Sequence, residues 1–245
     1  MILRNKLLPL RFLLITLLLL LLTLLFSTLA SRFETDTSPV AIEEQPLFST
    51  VILDAGHGGE DGGAVSLQGY FEKDLNLAIC KQMEIMLKSN GIDTVMTRTE
   101  DILLYDKTVD YHGRKKALDL LARRKIAEEY PDSVFVSIHM NAYPLSQYHG
   151  LQVWYSPNHQ SSPELARNIQ EIISATLQPE NNRQVKAAGS NIYLLHHLRS
   201  PALLVECGFL SNPEEAERLH DPDYQKQLAF LLTLSLLESN SVAEK

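Results

Sequence analysis

Four hydrophobic runs in this chain each stop at a polar residue that apolar packing alone does not call for. These residues are His57 in V-I-L-D-A-G-H-G-G, Glu72 in Y-F-E-K-D-L-N-L-A, His139 in V-F-V-S-I-H-M-N-A and Glu206 in A-L-L-V-E-C-G-F-L. Apolar runs of this length read as buried strands of a parallel or mixed sheet. In open α/β sheets, ligands and chemistry collect just outside the carboxyl ends of the strands. The four residues are therefore expected to meet at one edge of one sheet. Two imidazoles and a carboxylate make the open three-ligand set of a single catalytic zinc, which keeps a fourth position for water. A second carboxylate nearby is what a metal hydrolase needs as its general base.

Between these runs, strand and helix patterns alternate from about Phe48 to Ser239. Strands are expected over Phe48–Asp54, Thr94–Thr97, Val134–His139, Leu151–Tyr155, Ile192–Leu195 and Ala202–Glu206. Helices are expected over about Lys73–Asn90, Gly113–Glu129 and Pro163–Leu177, the last opened by Ser162 as a cap with proline in its first turn. Asn212-Pro213-Glu214-Glu215 starts a short helix, and Tyr224–Leu237 reads as a final amphipathic one. This alternation predicts an α/β fold: a three-layer sandwich with a mostly parallel, mixed central sheet flanked by helices.

The N-terminus is different in kind. Arg4, Lys6 and Arg11 precede an uncharged, leucine-dominated run from Phe12 to Ala30. That is a basic region followed by an apolar core close to the roughly 20 residues that span a bilayer. Thr28-Leu29-Ala30 resembles a small-residue cleavage site, so a cleaved signal and a retained anchor both fit, and either carries the rest of the chain out of the cytoplasm. The expected organisation is a signal or anchor over 1–31, a proline-containing polar linker over 32–47, and a catalytic domain over 48–245. Without residues 1–31 the 22 Lys+Arg lose three and the 30 Asp+Glu lose none, which moves the formal charge from −8 to −11. An acidic exported domain speaks against nucleic acid as a partner and against anionic lipid as a main one. Cys80 and Cys207 are the only cysteines, sit in apolar contexts and read as buried free thiols rather than a disulfide framework.

Each candidate residue has a chemical reading and a plainer one. Glycines around His57 let the backbone turn sharply and approach a ligand. A phosphate-cradling loop would carry G-x-G-x-x-G or a Gly-Lys-Ser ending, and neither is present. Asp54 either orients His57 from behind or caps the loop. Glu72 is a metal ligand or a carboxylate complementing a helix dipole, with Asp74 as its local competitor. His139 has no structural reason to close V-F-V-S-I. Asn141, two positions on, is a candidate for hydrogen-bonding substrate, or a turn-former before Pro144. Glu206 follows four apolar residues, so burial should raise its pKa and let it accept a proton and later return it to a leaving amine. Its plainer reading is a buried glutamate with an arginine partner. Arg98, Arg123 and Arg199 are candidates for that partner or for holding a substrate carboxylate.

At these residues the chain resembles the zinc-dependent N-acetylmuramoyl-L-alanine amidases of the Amidase_3 family. The motifs run in order over residues 50–239: D-A-G-H-G-G, E-K-D-L-N-L, the Thr97-Arg98 pair, Leu120 with Arg123, S-I-H-M-N-A and P-A-L-L-V-E-C-G-F-L-S-N. The resemblance implies zinc ligands at His57, Glu72 and His139 and a catalytic glutamate at Glu206. It also implies peptidoglycan as substrate, cut at the amide between N-acetylmuramic acid and the first L-Ala of the stem peptide. The short hydrophobic N-terminus, the single domain and Y-H-G-R-K-K-A-L-D-L (Tyr111 to Leu120) are similar to the germination-specific, spore-cortex branch of that family. That likeness implies action in the cortex space and a functional link to a muramic-acid deacetylase that goes on to form muramic-δ-lactam. With no wall-binding repeats visible, an exported partner protein is expected to position the enzyme or retain its zinc. Two other readings share some of these residues: a zinc peptidase cutting within the stem peptide, and a membrane-tethered, non-catalytic wall-binding module.

Overall fold

The chain was analysed as a computed structural model that describes residues 7–32, 46–106, 108 and 112–241. These fall into two compact units, one within Met1–Glu44 and one within Gln45–Lys245. The first consists of α1 (Leu7–Arg32), whose leucines from Leu13 to Leu25 are all exposed. Its hydroxyls at Thr16, Thr23, Ser27 and Thr28 turn back onto carbonyls three residues earlier, which hides their polarity on the helix. Among the described residues no helix is long and apolar enough to cross a membrane. Most of the expected linker, from residue 33 to 45, lies outside the described residues.

The second unit is built on six strands: β1 (Thr50–Ala55), β2 (Asp93–Met96), β3 (Ser133–Asn141), β4 (Gln152–Tyr155), β5 (Lys186–Ala187) and β6 (Ala202–Phe209). Their order across the sheet is β2-β1-β3-β6-β4-β5. β2, β1, β3 and β6 run parallel, whereas β4 is antiparallel to β6 and β5 follows β4, so the sheet is mixed. The central strands are apolar on both faces because helices cover both. Val51, Leu53, Val134, Val136, Ile138, Leu203 and Val205 pack with α2 (Glu72–Ser89), α4 (Ser162–Thr176), α6 (Pro213–His220) and α7 (Pro222–Ser241). The alternate residues Ile52, Phe135 and Ala202 pack with Ala127 of α3 (Lys115–Glu128) and with Leu194 and Leu195 of α5 (Tyr193–His197). Cys80 and Cys207 are free and buried in the larger of these two cores.

Two local expectations are corrected. Ile192–Leu195 is no strand: Tyr193–His197 forms a single helical segment that tucks Leu194 and Leu195 against the sheet. A short apolar run looks the same in either state, and here the crossover from β5 to β6 needs a compact plug rather than another strand. Ser162 does not cap α4 from outside; it is the first helical residue, and its hydroxyl accepts the Ala202 N–H at 3.3 Å. Asn212 caps α6, the short helix expected there: its side chain accepts from the Glu214 and Glu215 N–H groups.

Candidate active site

The site forms at the carboxyl ends of β1, β3 and β6. Leaving β1, the Gly56 N–H still bonds the Ile138 carbonyl at 3.1 Å, and then the chain turns. His57 has φ +62°, followed by Gly58 at +140° and Gly59 at +57°. A histidine in the left-handed region costs on the order of 1 kcal/mol and persists only where surroundings fix it. Two buried guanidinium groups do so. Arg123 donates through Nη2 to the His57 carbonyl and through Nη1 to the Ala55 carbonyl, both at 2.7 Å. Arg98 donates through Nε to the Ala55 carbonyl at 2.8 Å and through Nη2 to those of Gly56 at 3.0 Å and Lys73 at 2.7 Å.

These placements replace the expected role of Arg98 and Arg123. With 2% and 1% of their surface exposed, their donors end on backbone carbonyls and buried carboxylates, and neither pairs with Glu206. Asp54 is likewise turned away from the His57 ring. Its carboxylate takes bonds from Arg123 and Thr97 on Oδ1 and from Ser137 on Oδ2. Burial alone would raise the Asp54 pKa, but Arg123 and the two hydroxyls hold it below the usual carboxylate range.

Glu72 opens α2 and reaches back under the turn. Its Oε1 lies 3.2 Å from His57 Nε2 and 2.9 Å from His139 Nδ1, and accepts the Met140 N–H at 3.0 Å. Its Oε2 accepts the Ala64 N–H at 2.8 Å. Burial pushes its pKa up, yet the two imidazoles outweigh that and keep it ionised far below the ordinary range. Burial would lower the His57 pKa, but the Glu72 and Asp61 carboxylates raise it on balance. Asp61 Oδ1 lies 2.9 Å from His57 Nδ1, off the line of a hydrogen bond, which leaves that nitrogen buried with no bonded partner among the described residues. Space is tight as well. A Cβ at Gly56 would overlap the His139 ring, and one at Gly63 would collide with Glu72 and His57.

One ligand atom each from His57, Glu72 and His139 lies within 4.8 Å of the others. Ligand atoms around a tetrahedral zinc sit roughly 3.3 Å apart, given bond lengths near 2.0–2.2 Å. The 2.9 and 3.2 Å separations and the two-imidazole, one-carboxylate chemistry fit such an ion. Glu206 follows in β6, in direct register with His139 of β3. Its Oε2 is buried without a hydrogen-bond partner among the described residues, and burial pushes its pKa up to about 7. Asn141 ends β3 half-buried after an irregularity in the ladder between His139 and Asn141. Arg199 is exposed and makes no ion pair among the described residues. Asp74 stays clear of the cluster.

Several residues escaped the reading of the sequence. Asp61 backs His57 from four positions on, inside a glycine-rich stretch where an acid looks like ordinary turn chemistry. Asn76 donates to the Gly56 carbonyl at 3.1 Å from one helical turn after Glu72, a spacing that was available as a signal. Gln152 and Arg183, beside Glu206, lie in segments with no motif at all.

The profile of the N-acetylmuramoyl-L-alanine amidase family, Amidase_3, matches residues 51–237. The chain is 35% identical over 185 residues to the germination-specific N-acetylmuramoyl-L-alanine amidase of Bacillus subtilis (strain 168), covering 75% of this chain and 77% of that protein. Among solved structures it is similar to the CwlD amidase from Clostridioides difficile, determined in complex with the GerS lipoprotein. That match has 38% identity and a TM-score of 0.75, covering 79% of this chain and 99% of the other. The amidase AmiC2 of Nostoc punctiforme is similar at 31% identity and a TM-score of 0.65, covering 79% and 97%.

Proposed function

Because this chain belongs to the N-acetylmuramoyl-L-alanine amidase family and is a peptidoglycan amidase, we propose that it works with one zinc ion held by His57, Glu72 and His139 and with Glu206 as its proton carrier. The observation that carries this reading is the convergence of three ligand atoms within 4.8 Å, with Glu206 in register beside His139. A zinc ion at this cluster supplies Lewis-acid polarisation of the scissile carbonyl and makes water acidic enough to attack near neutral pH. Glu206 takes the proton of the attacking water and delivers it to the leaving nitrogen. The carbonyl–nitrogen bond breaks, leaving a lactyl carboxylate on the muramic acid and a free L-Ala amine on the peptide. A pKa near 7 suits a group that must both accept and return a proton. Glu72 and Asp61 flank the His57 ring and favour its charged form. Asn141 and Arg199 remain candidates for contacting substrate.

The setting follows from similarity. The kinship with a germination-specific amidase supports action on spore cortex, as the step before a muramic-acid deacetylase completes muramic-δ-lactam. That the similar CwlD amidase was solved with the GerS lipoprotein supports an exported partner protein here. The basic residues Arg4, Lys6 and Arg11 ahead of the uncharged run to Ala30 support an N-terminal anchor or signal that places residues 48–245 outside the cytoplasmic membrane.

The test is mass spectrometry of cortex-type peptidoglycan incubated with the full chain, with zinc, with chelator, and with Glu206→Gln. Stem peptides bearing a free L-Ala amine, released only with zinc and Glu206, are expected. Peptides cut at another bond would move the assignment to a stem-peptide peptidase.

A further inference from the structure

Gln152 of β4 stands in direct register with Glu206 of β6, so the two side chains leave the same face of the sheet side by side. Arg183 Nη2 donates to Gln152 Oε1 at 2.7 Å, and Gln152 Nε2 donates to the Gln184 carbonyl at 2.7 Å. The amide is thus fixed at both ends and fixes the guanidinium in turn. Arg183 Cζ lies 4.8 Å from the centre of the Phe209 ring, and Phe209 is the register partner of Asn141 at the end of β3. From the backbone side, the Arg183 N–H donates to Asn181 Oδ1 at 3.0 Å. The guanidinium is therefore held by Gln152 and Phe209, and its backbone by Asn181, at the carboxyl edge of the sheet before any ligand arrives.

Its donors are mostly unused. Only Nη2 makes a hydrogen bond among the described residues, and Nε is buried without a partner. Nη1 is neither bonded nor among the buried unpartnered atoms, so it opens to solvent. No carboxylate pairs with Arg183 among the described residues; Glu206 feels its charge but forms no ion pair with it. A half-buried, immobilised guanidinium with an open edge suits a planar anion, because its parallel N–H groups match the two oxygens of a carboxylate. The rest of the unit is strongly acidic, so an anionic peptide meets repulsion over most of its surface and needs a fixed cation to seat it.

We propose that Arg183 is a specificity-determining residue that binds the stem-peptide carboxylate nearest the scissile amide. The inference rests on Glu206 being the proton carrier, since Arg183 is located relative to the cut bond through Gln152 and Glu206.

The test uses two synthetic muramoyl-peptides that differ only at that carboxylate, one free and one as the carboxamide. Both are assayed with the full wild-type chain, Arg183→Gln and Arg183→Lys, with zinc content and melting temperature recorded for each. Wild type is expected to prefer the carboxylate. Arg183→Gln should raise KM for it about 10- to 100-fold, as for a lost charge-assisted hydrogen bond, with kcat within about two-fold and the preference erased. Arg183→Lys should restore part of the preference, since it keeps the charge and loses the fork. Equal wild-type activity on both substrates overturns the role of Arg183 while leaving the amidase reading intact. A preference that survives Arg183→Gln, or a fall in kcat shared by both substrates, also overturns it. If Arg183→Gln does not fold, an undiminished preference in Arg183→Lys overturns it instead. Failure of wild type to cut either substrate while it carries one zinc per chain overturns the zinc–Glu206 reading and this inference with it.

Discussion

His139 and Glu206 stand opposite each other in the parallel ladder between β3 and β6, on neighbouring strands and on the same face. Adjacent strands are only about 4.8 Å apart. The proposed proton carrier is thereby held next to the imidazole of a proposed metal ligand by sheet register, with no loop involved. That rigidity is what general acid–base chemistry asks of its positioning.

Glu206→Gln keeps the size of the side chain and removes its ability to carry a proton. General acid–base groups contribute about 10²- to 10⁴-fold, so kcat should fall by that order. Zinc per chain, measured by plasma mass spectrometry, should stay at the wild-type level. Loss of the metal together with activity would recast Glu206 as a ligand.

Gly56→Ala tests how closely β1 approaches β3. The added methyl would sit in the His139 ring, and the neighbouring backbone is pinned by Arg98 and Arg123, so the ring must move. Zinc affinity by chelator competition should drop at least 10-fold, with activity falling in parallel. An unchanged affinity would mean that the ring has room which the geometry denies it.

Removing the metal should lower the melting temperature as well as activity. Zinc at about 100 times its Kd stabilises the native state by about 2.7 kcal/mol. Differential scanning fluorimetry with and without chelator reads this shift directly. His139→Ala should abolish it, leaving a melting temperature that zinc no longer moves.

The Asp54 network predicts the acid limb of stability. The folded-state pKa of Asp54 lies below its unfolded value, so its contribution is present above about pH 4 and is lost as pH falls through the folded pKa. Ser137→Ala deletes a 2.6 Å bond to Asp54 Oδ2. It should cost about 1.5–3 kcal/mol at pH 7 and start the acid loss at a higher pH. Urea denaturation at pH 7 and through the acid range measures both effects.

Cys80 and Cys207 are fully buried, and burial pushes both thiols well above their ordinary pKa. Neither should react with a disulfide reagent in the native protein, and both should titrate in guanidinium. A fast-reacting native thiol would contradict the packing of α2 and β6.

The strands, the main helices and the convergence of four polar residues could be read from the sequence because each rests on local pattern. An apolar run ending in His139 declares both its strand and its oddity. The roles of Arg98 and Arg123 could not be read in this way. Their partners are carbonyls at positions 55 to 57, and backbone acceptors leave no mark in a sequence. Asp54 is legible as important but not in its partners, since strand alternation turns it toward Ser137 and Arg123 and away from the next turn. Gln152 comes to lie beside Glu206 only because β4 runs antiparallel to β6, a topological fact that no short window contains. Ile192–Leu195 reads as a strand, where Tyr193–His197 is helical, because four residues are too few to reveal a period.

The sheet order also sets when this enzyme can become one. β6 enters between β3 and β4, although it is the last strand in the chain. Its pairing with β3 closes a long loop at a cost in chain entropy. His57, Glu72 and His139 come from earlier strands and helices, but Glu206 reaches the site only when that final insertion is made. β4 and β5 likewise wait for β6 before they join the sheet. A chain still emerging or only partly folded therefore lacks the residue proposed as its proton carrier, and on that proposal the site is complete only with the last strand in place.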